Sequence, residues 1–252
     1  MGGVTNALQL VDIVKTAAIH IWAERLLIAK MLVLAGLANG FLAWISSSMV
    51  ENEKFEWFYV LAIPQILVYT LLAVRVHRMV LTGGGANQDW LRWTRRETRF
   101  LGWLVVVYFY WTLILVPIVA GVGVASDFTW VSHGVWWDSL AITLATVPGA
   151  YVFVRLVFLL PATAIDQKRN LRWAWAFSQG NGWRLVSLLW VLPMFISLIV
   201  PNWESSNPAY FVAWEMAYGV VTVLEVALLS VAFKTLGGMS LNTPPVIQAQ
   251  PL

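Results

Sequence analysis

The sequence predicts an all-α membrane protein: six transmembrane helices forming three repeated hairpins, each preceded by a cytoplasmic amphipathic or interfacial helix. Three observations predict it. Of 252 residues, 60% are hydrophobic and only 12% charged, with a mean hydropathy of +0.72. A soluble domain of this size could not hide that much apolar surface. Apolar stretches near 27–49, 57–80, 100–125, 137–160, 183–201 and 209–236 match the ~20 residues with which a helix crosses a bilayer core. Fifteen of the sixteen Lys and Arg fall in every second connection, and only Lys54 falls on the other side. Positive loops stay in the cytoplasm. The expected location is therefore the bacterial inner (cytoplasmic) membrane, multi-pass, with N- and C-termini cytoplasmic.

Residues 8–24 form the first surface helix. Leu10, Val11, Val14, Ala18, Ile21 and Trp22 share one face, and Gln9, Asp12, Thr16, His20 and Glu24 the other, the pattern of a helix lying in the interface. No compact apolar core follows Lys15, so this is not expected to be a cleavable signal. The first crossing carries Gly36 and Gly40 at i and i+4, a surface that lets another helix approach closely. Internal packing is the simpler use of it, an oligomer contact the other. The second crossing contains Pro64 and ends in Val74-Arg75-Val76-His77.

In residues 89–99, Arg92, Arg95, Arg96 and Arg99 make one basic stripe on a second surface helix. The third and fourth crossings contain Pro117 and Pro148, and Pro148-Gly149 is the expected kink. The fourth ends in Val154-Arg155-Leu156-Val157. The third surface segment, 168–183, mixes Lys168, Arg169 and Arg172 with Trp173, Trp175 and Trp183. The fifth crossing contains Pro193, and the sixth ends in Phe233-Lys234-Thr235-Leu236. Arg75, Arg155 and Lys234 recur at intervals of 80 and 79 positions, which supports a three-fold repeat. Residues 1–240 thus form a single polytopic membrane domain, and 241–252, with Pro244-Pro245, a disordered tail. Many of the sixteen Trp fall near the crossing ends as two aromatic belts. Trp136-Trp137 or Trp173-Trp175 as an aromatic binding box is the sharper alternative.

Little in the chain points to chemistry. There is no cysteine, which removes disulfides, thiolate metal sites and thiol nucleophiles. His20, His77 and His133 do not share one side of the membrane, so no metal site or cofactor is expected, and no grouping of Ser, His and carboxylates marks an enzyme. Nucleic acid would require a soluble basic domain. The basic side is expected to meet anionic lipid headgroups, through Arg92, Arg95, Arg96, Arg99, Lys168, Arg169 and Arg172.

Glu225 is the polar residue that stands out. It lies nine residues before Lys234, ~14 Å along the helix, and a carboxylate at that depth must face protein or water. Arg155 is its nearest expected partner, with Gln65 and Tyr69 as others. The pair reads either as a proton or cation site or as a structural ion pair. Glu215, nearer the outer interface, is expected to be solvated. The leading functional expectation is a non-catalytic accessory or scaffold subunit that associates with a larger membrane complex, or with itself. The alternative is a small transporter or proton-coupled channel built on Glu225 and Arg155.

One stretch has a familiar form. Pro161-Ala162-Thr163-Ala164-Ile165-Asp166 is followed by Leu171-Arg172-Trp173-Ala174-Trp175-Ala176-Phe177-Ser178-Gln179-Gly180-Asn181-Gly182-Trp183-Arg184-Leu185. It resembles an uncharacterised family of bacterial six-helix integral membrane proteins allied to the membrane domain of glycerophosphodiester phosphodiesterases. There a proline ends a helix, an acidic residue follows, and an amphipathic helix leads to Ser-x-x-Gly-x-x-Trp-Arg. The exit Val231-Ala232-Phe233-Lys234-Thr235-Leu236 is similar to that family's last helix. His77-Arg78-Met79-Val80-Leu81 and Arg95-Arg96-Glu97-Thr98-Arg99-Phe100-Leu101-Gly102-Trp103 look like related proteobacterial proteins. The resemblance implies a fold and an inner-membrane location. It implies no activity, because the phosphodiesterase catalytic domain is absent.

Overall fold

The computed structural model describes residues 8–51, 55–83, 92–128, 135–197 and 208–238. Among them every regular element is helical: α1 (Leu10–Ala23), α2 (Arg25–Glu51), α3 (Phe55–Thr82), α4 (Arg95–Phe128), α5 (Val135–Leu156), α6 (Leu159–Ala164), α7 (Leu171–Phe177), α8 (Gly182–Val186), a π turn (Ser187–Val191), α9 (Leu192–Ser197) and α10 (Pro208–Leu236). Among the described residues, five stretches are long and apolar enough to cross a membrane: Arg25–Ser46, Val60–Thr82, Arg95–Ile118, Thr146–Ala164 and Ala209–Leu236. This is the arrangement of a multi-pass membrane protein. The fifth expected span, 183–201, is represented by the short apolar helix Gly182–Ile196, and residues 198–207 lie outside the described set. The expected disordered tail lies outside it too.

Two corrections concern the repeat. The basic stripe does not sit on a separate surface helix, because Arg95 is already the first residue of α4. The chain starts the helix there through a capping box. The backbone N–H of Thr94 donates to Glu97 Oε2 at 2.8 Å, the Thr94 hydroxyl donates to the same carboxylate, and Arg96 N–H donates back to Thr94 Oγ1 at 3.3 Å. The third pair also differs from the first two, since its first member is broken by the π turn at Ser187–Val191. Pro193 lies just beyond. Its ring crowds the carbonyl four residues earlier and its nitrogen donates no hydrogen bond, so the backbone widens ahead of it.

Proline acts differently in the fourth span. α5 stays helical through Pro148, and the break falls at Val157–Phe158. Pro161 cannot donate to the Val157 carbonyl, which accepts Leu160 N–H at 3.0 Å instead. α6 then ends with Asp166 in the left-handed region at φ 62. Gln167 N–H reaches Ala162 O at 2.9 Å and Asp166 N–H reaches Thr163 O at 3.0 Å, the paired bonds that close a helix end.

α10 packs most extensively on α2 and then on α3, while α4 pairs with α5 and α6. Gly36 and Gly40 make the α2–α10 contact close. A Cβ on Gly36 would run into the Met216 side chain, and one on Gly40 would lie 2.5 Å from Val212 Cα. The glycine face therefore serves packing within the molecule. The core, including Ile13, Val74, Val76, Phe100, Val154, Phe158, Leu185, Leu228 and Phe233, gathers toward the end of the bundle that carries the basic residues. α1 docks there on α10 and α2, burying Ile13 and Ala17 while leaving Val11, Ile19 and Trp22 exposed. The outward face of α4, with Val105, Phe109, Leu113 and Val116 exposed, has the apolar character that lipid contact requires.

Candidate functional site

A cavity of about 450 Å³ lies between the helices. α3 contributes Tyr69, Thr70, Ala73 and His77, α4 contributes Phe100, Leu104 and Tyr108, and α10 contributes Tyr218, Thr222, Glu225 and Leu229. Phe153, Val157 and Leu160 close the side of α5 and α6. Most of the wall is apolar, with a few converging polar groups, as small-molecule sites are built.

The polar groups arise from helical spacing. Tyr218, Thr222 and Glu225 stand at i, i+4 and i+7 on α10, and Thr70 and His77 at i and i+7 on α3, so each set shares one face. His77 is fully buried. Its Nδ1 lies 2.7 Å from Ser230 Oγ, and the Ser230 hydroxyl donates to Val226 O at 2.7 Å. Ser230 therefore accepts from Nδ1–H, which leaves Nε2 with a lone pair. That Nε2 and the buried Thr70 Oγ1 have no protein partner. Sequence reasoning placed His77 at the cytoplasmic margin and missed it; the polar pair at heptad spacing inside an apolar helix was the available signal.

Glu225 lines this cavity, but Arg155 is not its partner. Arg155 is buried and turned toward α7. Its Nε donates to Ser178 Oγ at 2.9 Å, one terminal nitrogen donates to the Trp175 carbonyl and the other to the Tyr151 hydroxyl at 3.5 Å. The guanidinium lies 3.8 Å from the Trp175 ring centroid. Main-chain and hydroxyl acceptors plus a π face compensate the charge, so no carboxylate is needed. Trp175 is thus occupied by the protein's own cation. Tyr69, the other expected partner of Glu225, donates to Glu215 Oε2 at 2.5 Å. Glu215 is accordingly half-buried and bonded rather than simply solvated, and Gln65 Nε2 reaches the Asn39 carbonyl at 3.4 Å.

The basic end holds a second constellation. Asp166 accepts from Arg96 Nε at 2.8 Å and pairs with a terminal nitrogen of Arg96 at 2.7 Å and of Arg99 at 2.5 Å, tying α6 to the start of α4. Burial pushes this carboxyl up, but the hydrogen bond from Arg96 and the charges of Arg96, Arg99 and Arg78 outweigh it and hold it below the ordinary value. Arg75 lies 4.0 Å from the buried Glu97 and donates to the Arg92 carbonyl at 3.2 Å. Of the residues expected to meet lipid, Arg96 and Arg99 are thus engaged by Asp166, whereas Arg92, Arg95, Lys168, Arg169 and Arg172 are exposed. Asn170 caps α7, accepting Trp173 N–H at 2.9 Å, which holds the aromatic stack of Trp173 on Phe177 at 4.7 Å. Among the described residues no three His, Asp or Glu side chains gather as a metal ion would need.

No family model, no curated protein and no solved structure matches the chain.

Proposed function

We propose that this chain is a non-catalytic, multi-pass protein of the bacterial inner membrane, an accessory or scaffold subunit that engages anionic lipid and a membrane partner through its basic end. The observation that carries this is the gathering of exposed cations there. Lys15, Arg25, Lys30, Arg92, Arg95, Lys168, Arg169, Arg172 and Arg184 are all exposed, with Trp22, Trp175 and Trp183 exposed among them. Each such cation contributes about 1 kcal/mol beside an anionic leaflet. The resemblance to six-helix membrane domains supports the same reading. The alternative, a small transporter or proton-coupled channel, keeps Glu225 but no longer has Arg155 as its counter-charge.

Native mass spectrometry of the protein after gentle extraction tests the proposal. The unaltered chain is expected to retain anionic lipid and a stoichiometric protein partner. The triple variant Lys168→Ala, Arg169→Ala, Arg172→Ala is expected to retain less anionic lipid. An unchanged lipid complement in the triple variant overturns the lipid reading, and a chain that always emerges alone overturns the accessory reading. For topology, single cysteines at Thr129 and Asn87 are expected to label from outside and inside the cell respectively. The reverse pattern overturns the orientation.

A further inference from the structure

We propose that the cavity between α3, α4, α6 and α10 binds an amphiphile with a protonated amino head group. This site is separate from the exposed cations of the basic end and does not depend on their role. Three hydrogen-bond acceptors line it without a protein donor among the described residues: the Glu225 carboxylate, His77 Nε2 and Thr70 Oγ1. Leaving such groups unpaired in a buried apolar setting is costly. His77 and Thr70 are 0% and 1% exposed, so solvent at the protein surface does not satisfy them.

Among the described residues the lining contains no Lys or Arg, which gives an anionic head group nothing to pair with and sets it against Glu225. A neutral alcohol has one proton to donate and leaves the carboxylate charge uncompensated. An ammonium brings three donors, no acceptor and the opposite charge, and charge-assisted hydrogen bonds are the strong ones. The rings of Phe100, Tyr69, Tyr108 and Tyr218 in the same wall also favour a cation. The site sits within stretches that cross the membrane, Val60–Thr82 and Ala209–Leu236, so its ligand arrives through the bilayer and needs an apolar tail. The cavity's about 450 Å³ falls in the size range of small-molecule sites.

The test uses the full chain in lipid nanodiscs and three probes with one tail: dodecylammonium, dodecanol and dodecanoate. Binding is read by titration calorimetry, with protein-free nanodiscs subtracted. Dodecylammonium is expected to bind at least ~10-fold more tightly than dodecanol, and dodecanoate least. Glu225→Gln is expected to remove most of that preference and leave dodecanol unchanged. Thr70→Val, close to isosteric, is expected to weaken dodecylammonium a few-fold. Equal binding of all three probes, insensitive to Glu225→Gln, overturns the proposal in favour of a merely apolar cavity. No binding above protein-free nanodiscs overturns it outright, as does a preference for dodecanoate. Should Glu225→Gln melt at a lower temperature, the ranking of the three probes on the unaltered protein decides alone.

Discussion

Adding a single methyl group to α2 or α4 tests the close helix packing, and the structure ranks three positions. At Gly40 a new Cβ would sit 2.5 Å from Val212 Cα and 2.8 Å from Val212 N. Carbon atoms rest at ~3.5–4.0 Å, so α10 must retreat by about 1 Å, because the obstruction is backbone. Overpacking of this kind costs about 1–3 kcal/mol and occasionally more, and here it disturbs the most extensive helix contact of the fold. At Gly36 the obstruction is the Met216 side chain, while Met216 Cα lies at an ordinary 3.5 Å. A flexible thioether can move aside, at about 0.5–1.5 kcal/mol for a strained rotamer. At Gly102 of α4 a Cβ meets nothing within 4 Å, so alanine there gains up to about 1 kcal/mol of helix propensity. The expected order of stability is Gly102→Ala above the unaltered chain, then Gly36→Ala, then Gly40→Ala. The two ends are expected to differ by about 2–4 kcal/mol. Unfolding in mixed micelles by added dodecyl sulfate, followed by circular dichroism, measures this. Val212→Ala is expected to rescue Gly40→Ala only in part, since the Cα and N contacts remain. If Gly40→Ala unfolds with Gly36→Ala, or Val212→Ala restores it fully, the backbone-contact argument is wrong.

Further outcomes follow from the polar contacts. Arg155→Met is expected to cost about 1–3 kcal/mol by removing the guanidinium's hydrogen bonds to Ser178 and the Trp175 carbonyl and to speed hydrogen exchange across α7. Arg155→Lys recovers only part of this, because a lysine lacks the planar fork. The effects of Arg155→Met and Glu225→Gln are expected to add to within ~0.5 kcal/mol; strong coupling between them would restore the pairing that the geometry removes. Asp166 is held below the ordinary carboxyl value of 3.8, so its contribution is full above about pH 4 and lost as pH falls through the lower folded value. With its side chain 47% exposed, Asp166→Asn is expected to cost no more than ~1 kcal/mol at neutral pH, to lose that effect in high salt, and to flatten the acid limb of a melting-temperature profile. Burial, and next the charge of Lys234, hold His20 below its ordinary 6.5, against a smaller opposing effect of Glu24. Folded α1 therefore disfavours the protonated ring, and stability falls as pH drops below about 6.5. His20→Gln is expected to remove that dependence, read as the pH profile of hydrogen exchange in α1.

Local patterns were readable wherever one helix carries its own signal. α2, α3 and α10 begin and end within two residues of where hydropathy puts the first, second and last crossings, and the i, i+4 glycines marked a face that does meet another helix. The fourth crossing begins with α5 at Val135, two residues before the expected 137. The start of α4 was legible too, in Thr94-x-x-Glu97, but the longer basic stripe drew the boundary to a separate surface helix. The break at Val157–Phe158 follows from Pro161, whereas Pro148 attracted the expectation of a kink because Gly149 stands beside it. Gly149 instead gives room to Trp111, whose ring carbon would lie 3.1 Å from a Cβ there.

The sequence alone determined that this is an apolar helical chain, where most of its long helices run, and that its basic residues keep company. Those properties depend on periodicity and composition within single segments, which each segment carries in full. Only the tertiary structure decided the partners. It turned Arg155 away from Glu225 toward Trp175 and Ser178, brought Asp166 onto Arg96 from seventy positions away, and drew His77 into a cavity opposite Glu225. Those pairings depend on the rotation and crossing of helices against one another. A rotation of ~100° per residue moves a side chain to a different neighbour, while hydropathy along the chain stays the same.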